Sequence, residues 1–142
     1  MMSFIQYKEL KSSFGIILGN RDVFPDHLVK EGRKDIIDVM NELEYEYFIL
    51  DKEDTPLGAV ETYLDAKKCA ELFKKNSDKI LGIVLCLCNF GDEKAVANTL
   101  KMVNLNVPVL IQACSDEISK MDREHRRDAF CEIGRASCRE RV

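Results

Sequence analysis

The chain has 142 residues, of which 46% are hydrophobic and 32% are charged, and this composition is typical of one globular domain rather than of a disordered or collagen-like chain. No uncharged stretch reaches the roughly 20 apolar residues of a membrane-spanning helix, and the first residues lack the basic end and apolar core of a secretion signal, so we expect a cytoplasmic protein with no membrane partner. The formal net charge of −4 gives no electrostatic reason to expect binding to nucleic acid.

Short continuous apolar runs alternate with segments of helical spacing along the chain. In chain order, the pattern predicts a strand at 14–18, a helix from 25 to 43, a strand at 47–50, a helix at 59–73, a strand at 82–88, a helix at 92–103 and a strand at 107–112. Pro25 fits the first turn of the first helix, where its missing N–H is harmless. The mixed-charge stretch 116–129 is predicted to be a surface helix or a connection.

Apolar strands that alternate with helices are typical of a parallel sheet covered on both faces by right-handed crossovers. We therefore predict an α/β fold, namely a Rossmann-like, three-layer open parallel sheet of about four to five strands.

Ligands of such sheets gather beyond the carboxyl ends of the strands, which makes the loops at 19–25 and 88–92 candidate binding segments. In the first loop, the planar guanidinium of Arg21 can grip a carboxylate, a phosphate or vicinal hydroxyls. A surface ion pair with Asp22 or Asp26 explains the same residue equally well. In the second loop, Phe90 follows Asn89 and can either stack on the apolar face of a sugar or fold back onto the core.

Nucleotide-binding motifs are absent from these loops. The chain has neither Gly-x-Gly-x-x-Gly nor Gly-x-x-x-x-Gly-Lys-Ser/Thr, which argues against dinucleotide and P-loop functions. A response-regulator receiver is disfavoured as well, because the third strand ends in Cys-Leu-Cys-Asn where the phosphate-accepting Asp is expected.

The cysteines are predicted to be reduced thiols, because they are scattered through apolar segments of a chain large enough to fold without disulfides. Cys86 and Cys88 invite a metal or redox proposal, but alternate residues of a strand share one face, and isolated cysteines are usually buried. Core packing is therefore the favoured interpretation, and no metal ligand is assigned. His27 and His125 are predicted to lie at the surface.

The last eleven residues, 132–142, differ in character from the rest of the chain. They contain three arginines and no lysine, whereas lysine outnumbers arginine by 13 to 5 up to Cys131. The segment resembles the translation of a common sequencing adapter. We therefore divide the chain into a natural domain at 1–131, with five cysteines and a charge of −5, and an artefactual tail at 132–142, and we expect the natural protein to continue beyond Cys131.

An ordered set of strand-end motifs resembles the N-terminal domain of the L-fucose and L-arabinose isomerase family, over roughly residues 10–131. The motifs are GIILGNRDVFPDHL at 15–28, EGR at 31–33, LCNFGDE at 87–93 and PVL at 108–110.

This resemblance implies a function in the interconversion of aldose and ketose sugars. Family enzymes transfer a proton between adjacent carbons with two acidic residues and a divalent cation, typically manganese, all of which lie in later domains. No catalytic residue, metal ligand or cofactor is therefore assigned to this chain. By the resemblance, Arg21 matches a substrate-contacting position, and Asn89 and Phe90 align loosely with a loop that can carry a stacking aromatic.

The resemblance also implies that the domain caps a neighbouring subunit's active site in a trimer or hexamer, with a monosaccharide and the remaining domains of the protein as its partners. The fragment alone is then expected to be inactive. The alternatives are a non-catalytic sugar-binding or sensor domain of the periplasmic-binding-protein type and a purely structural interaction domain.

Overall fold

The computed structural model describes residues 13–131 of the chain. Its elements, in chain order, are β1 (Ser13–Gly19), α1 (Asp26–Glu42), β2 (Glu46–Ile49), α2 (Tyr63–Lys75), β3 (Ile80–Leu87), α3 (Glu93–Val103) and β4 (Val109–Ala113), with short 3-10 turns at Pro56–Gly58 and Ile118–Lys120.

The four strands form one parallel sheet in the order β2-β1-β3-β4. The central strands β1 and β3 pair along their whole length, and their last pair is Gly19 with Leu87. The predicted α/β class and the Rossmann-like parallel sheet are confirmed. Because all strands run in the same direction, their carboxyl ends share one edge of the sheet.

The two faces of the sheet carry separate apolar clusters because side chains alternate along each strand. One cluster joins residues of β1 and β3 to α1: Ile16, Leu18, Val84, Cys86, Val29 and Met40. The other joins the alternate residues of the same strands to α2 and α3: Ile17, Ile83, Leu85, Phe73, Ala95 and Val103. Each large side chain that is fully buried in this way contributes roughly 1.5–3 kcal/mol to folding.

Local signals fix where two of the helices begin. Thr62 and Asp65 form a capping box at the start of α2, in which the Thr62 hydroxyl accepts from the Asp65 N–H at 3.2 Å and the Asp65 carboxylate accepts from the Thr62 N–H at 2.9 Å. The Asp92 carboxylate accepts from the Ala95 N–H at 2.8 Å and caps α3.

The predicted start of the second helix is wrong. Val60 continues in extended backbone and bridges Gly19, because the capping box at Thr62 allows the helix to begin only at Tyr63. Tyr63, the first residue of α2, is 61% exposed. Pro25 lies immediately before α1 rather than in its first turn.

The stretch 116–129 is a connection with one 3-10 turn rather than a surface helix. The predicted tail at 132–142 lies outside the described residues. Among the helices at 13–131, none combines the length and apolarity that a membrane span requires.

Candidate functional site

The two loops singled out from the sequence meet at the carboxyl edge of the sheet. Asn20 and Arg21 directly follow β1, and Asn89 and Phe90 follow β3. Because β1 and β3 are neighbours that end in register, their loops contact each other. The structure therefore brings Arg21, Asn89 and Phe90 together.

Asn89 is fully buried and connects the two loops. Its side-chain carbonyl accepts from the backbone N–H of Arg21 at 3.2 Å and from that of Gly91 at 3.0 Å. Its amide group donates to the side-chain carbonyl of Asn20 at 2.7 Å, and the Asn20 amide in turn donates to Glu61 at 3.0 Å. The Asn89 side chain thus sets the relative position of both loops.

The guanidinium of Arg21 is held from two sides. Its central carbon lies 4.6 Å from the centroid of the Phe90 ring, within range of a cation–π interaction. Its Nη2 atom lies 2.7 Å from a carboxylate oxygen of Glu93. The side chain of Arg21 is still 32% exposed, so part of the guanidinium faces solvent.

The ion pair of Arg21 differs from the surface pairs considered from the sequence. Its partner is Glu93 in the first turn of α3 rather than Asp22 or Asp26. The helix starts directly after the loop that carries Phe90, which places Glu93 beside the end of β1. Phe90 itself is half-buried, with the guanidinium over its ring.

Glu61 is a further acidic group at this edge, which the sequence did not reveal. Burial raises its pKa above the ordinary value, and the nearby negative charges of Asp22 and Asp65 act in the same direction, while the hydrogen bond from Asn20 opposes them. Glu61 follows the extended segment that was predicted to be helical, so no local signal placed it here.

Metal-ligating side chains lie elsewhere in the described part of the chain. In that part of the chain, three potential ligands converge on one point, namely Cys86, Cys88 and Cys114. The prediction that Cys86 and Cys88 are buried on one face is confirmed, but no pattern in the sequence indicated that Cys114 joins them. His27 is half-buried and His125 exposed, and their rings lie 5.7 Å apart.

A cleft of about 700 Å³ lies between α1 and the carboxyl end of β4. Its lining includes Gly32, Gln112, Cys114, His125 and Arg127. This cleft reaches the cysteine group and contains none of the residues that surround Arg21.

The structure is a Rossmann-like α/β domain with a polar site where β1 and β3 end. We call this site, formed by Arg21, Asn89, Phe90 and Glu93, the edge site. The chain belongs to the family of fucose/sulfoquinovose isomerase N-terminal domains, whose family model matches residues 15–139. This match confirms the resemblance drawn from the strand-end motifs. No curated protein matches the chain. The match continues beyond Cys131, and the boundary between domain and tail stays a prediction.

Proposed function

We propose that this chain is the substrate-capping and oligomerisation domain of an aldose–ketose sugar isomerase, whose catalytic domains lie outside it. Family membership supports the sugar isomerase. The observation that carries the capping role is the guanidinium of Arg21, which is fixed between Phe90 and Glu93 at the carboxyl edge and is still one-third exposed. The proposal places the protein in the cytoplasm, as part of a homotrimer or homohexamer.

The chemistry of the edge site suits a monosaccharide. A guanidinium offers five N–H donors in a rigid plane, and those not used by Glu93 can donate to adjacent sugar hydroxyls. The Phe90 ring offers an apolar surface for the C–H face of the sugar. Asn89 holds the two loops in register, and its direct contact with substrate stays a prediction.

In this proposal the cap binds and orients the sugar and excludes water, while the proton transfer occurs in another part of the enzyme. A divalent cation, with manganese the expected one, would hold substrate oxygens in those catalytic domains. Among residues 13–131, no three carboxylate or imidazole groups converge to hold it.

The isolated chain tests the first part of the proposal. With Mn²⁺ and L-fucose, L-arabinose or sulfoquinovose, we expect no conversion between aldose and ketose by NMR. Turnover by the purified chain would show that it carries catalytic groups of its own. Micromolar sugar binding by the isolated chain, measured by calorimetry, would favour the non-catalytic sensor instead.

A chimaera tests the role of Arg21. The domain replaces the N-terminal domain of a characterised fucose isomerase, and the Arg21→Ala variant is compared with Arg123→Ala, a change at an exposed arginine. Loss of charge-assisted hydrogen bonds worth about 1.5–3 kcal/mol lowers kcat/KM by roughly 10- to 150-fold for Arg21→Ala, with no change for the control.

Light scattering on both variants separates this effect from assembly. An unchanged kcat/KM for Arg21→Ala in an intact oligomer would show that Arg21 does not contact the substrate, and it would favour a purely structural domain.

A further inference from the structure

Three thiols converge on the face of the sheet that α1 covers. Cys86 is near the end of β3 and Cys88 follows that strand, so both point to the same face. Cys114 follows β4, which pairs with β3 through Leu87 and Ala113, and this register places Cys114 beside Cys88.

The sulfur atoms are close enough to share one ligand. All three Sγ atoms lie within 4.8 Å of one another, and those of Cys86 and Cys88 are 4.0 Å apart. Three sulfurs bound to one metal at about 2.3 Å each lie roughly 4 Å apart, so the group needs to contract by less than about 1 Å.

Helix α1 leaves space for this group by having a glycine above it. A Cβ atom at Gly32 would lie 2.6 Å from the Sγ of Cys88 and 3.3 Å from that of Cys114. Any other residue at this position would occupy the volume beside the sulfurs of Cys88 and Cys114.

The positive charge of Arg127 favours the thiolate forms of Cys88 and Cys114. Arg127 is fixed beside the group, because its Nη1 donates to the backbone carbonyls of Cys88 at 2.8 Å and Leu28 at 2.9 Å.

We propose that Cys86, Cys88 and Cys114 form a binding site for one thiophilic d10 cation, and that monovalent copper is the ion it fits best. Soft thiolate ligands select such ions, whereas structural zinc takes four ligands. Within the described residues the converging group supplies three sulfurs and neither an imidazole nor a carboxylate. The 700 Å³ cleft, which Cys114 lines, gives the ion a path from solvent.

Binding is a ligand exchange without oxidation or reduction. Copper–sulfur bonds form as the S–H bonds of Cys86, Cys88 and Cys114 break, and the released protons pass to solvent. Copper enters and remains in the +1 state.

The test uses the whole 142-residue chain, reduced and free of oxygen, and a Cu(I) acetonitrile salt as the probe. In competition with bathocuproine disulfonate, we expect one tightly bound copper per chain. X-ray absorption should show three sulfur neighbours at about 2.3 Å. A site with two sulfurs, or with nitrogen and oxygen neighbours, would overturn the proposal.

Cysteine variants locate the bound ion. Cys114→Ser, Cys88→Ser and Cys86→Ser should each weaken copper binding by at least roughly tenfold, since even the loss of an outer-shell partner has that effect. Cys69→Ser is the matched control, because Cys69 is as buried as Cys86 and Cys88 but lies in the other apolar cluster, and its replacement should leave copper binding unchanged.

Two results would remove the assignment. One is equal copper affinity in the wild-type chain and in the triple variant, which keeps Cys69, Cys131 and Cys138. The other is tighter binding of Zn²⁺ than of Cu(I) at the same three sulfurs. The sulfur count from X-ray absorption of the wild-type chain decides the question even if a variant fails to fold.

Discussion

Replacement of Asn89 by alanine is expected to destabilise the domain strongly, because its side chain makes three hydrogen bonds in a fully buried position. The change leaves the N–H groups of Arg21 and Gly91 and the carbonyl of Asn20 without their partner. At about 1 kcal/mol for each hydrogen bond, the free energy of unfolding falls by about 3 kcal/mol. For a domain of this size, that corresponds to a decrease in Tm of about 10 °C.

Urea denaturation followed by circular dichroism measures this change, and the matched control is Asn106→Ala, since Asn106 is exposed. The control should stay within about 0.5 kcal/mol of the wild type. If Asn89→Ala also stays within that range, the side chain of Asn89 does not hold the two loops together.

Asn89→Asp separates the two kinds of hydrogen bond at this position. The introduced carboxylate keeps both acceptor functions, but it loses the donor to Asn20 and adds a buried charge. Burial raises its folded-state pKa, so the folded state binds the proton more tightly than the unfolded state does, and stability rises as the pH falls through the folded-state value. Stability of this variant that is independent of pH, after subtraction of the wild-type profile, would contradict the burial of the side chain at position 89.

Three further predictions concern the cluster of Cys86, Cys88 and Cys114 and the edge site. Gly32→Ala should lower the stability of the domain, because the added Cβ is forced against the Sγ of Cys88. The cost of this overpacking, about 1–3 kcal/mol, exceeds the gain of about 1 kcal/mol in helix propensity. In a Cys88→Ala background the same change should cost less free energy of unfolding. If urea denaturation shows that the effects of the two substitutions simply add, residue 32 does not contact Cys88. Burial raises the pKa of Glu61 above 4.5, so ionisation of this carboxyl group opposes folding, and the wild-type domain should lose stability as the pH rises above that value. The Glu61→Gln variant should not show this loss. Matching pH profiles for the variant and the wild type would contradict the burial of that carboxyl group. Cys114, with a pKa lowered to about 3, should react with iodoacetamide at a nearly constant rate between about pH 5 and 8. Peptide mass spectrometry measures that rate, and a tenfold rise per pH unit, as expected for the same cysteine in urea, would show that it is an ordinary thiol.

Much of the fold follows from local sequence patterns. The apolar runs around Ile17, Phe48, Leu85 and Leu110 predicted all four strands, because strands buried on both faces need continuous hydrophobic segments. Helix α2 was the exception, since the apolar period extends upstream to Ala59 while the capping box at Thr62 sets the true start. Spacing alone does not show which of two signals takes precedence.

The candidate site was predictable residue by residue but not as an arrangement. Position after a parallel strand was enough to single out Arg21, Asn89 and Phe90, because strand ends of one direction share an edge. Which carboxylate pairs with Arg21 depended on where α3 begins, and so Glu93 was not recognised as its partner.

The sequence by itself determined the α/β class, the strand-end loops and the family, because these depend on apolar runs and motifs that are contiguous in the chain. Only the tertiary structure decided which distant side chains meet. Cys114 is 26 residues from Cys88 in the sequence, and the parallel register of β3 and β4 places them side by side under Gly32. Convergence of this kind arises from strand pairing and helix packing, which no local pattern of residues encodes.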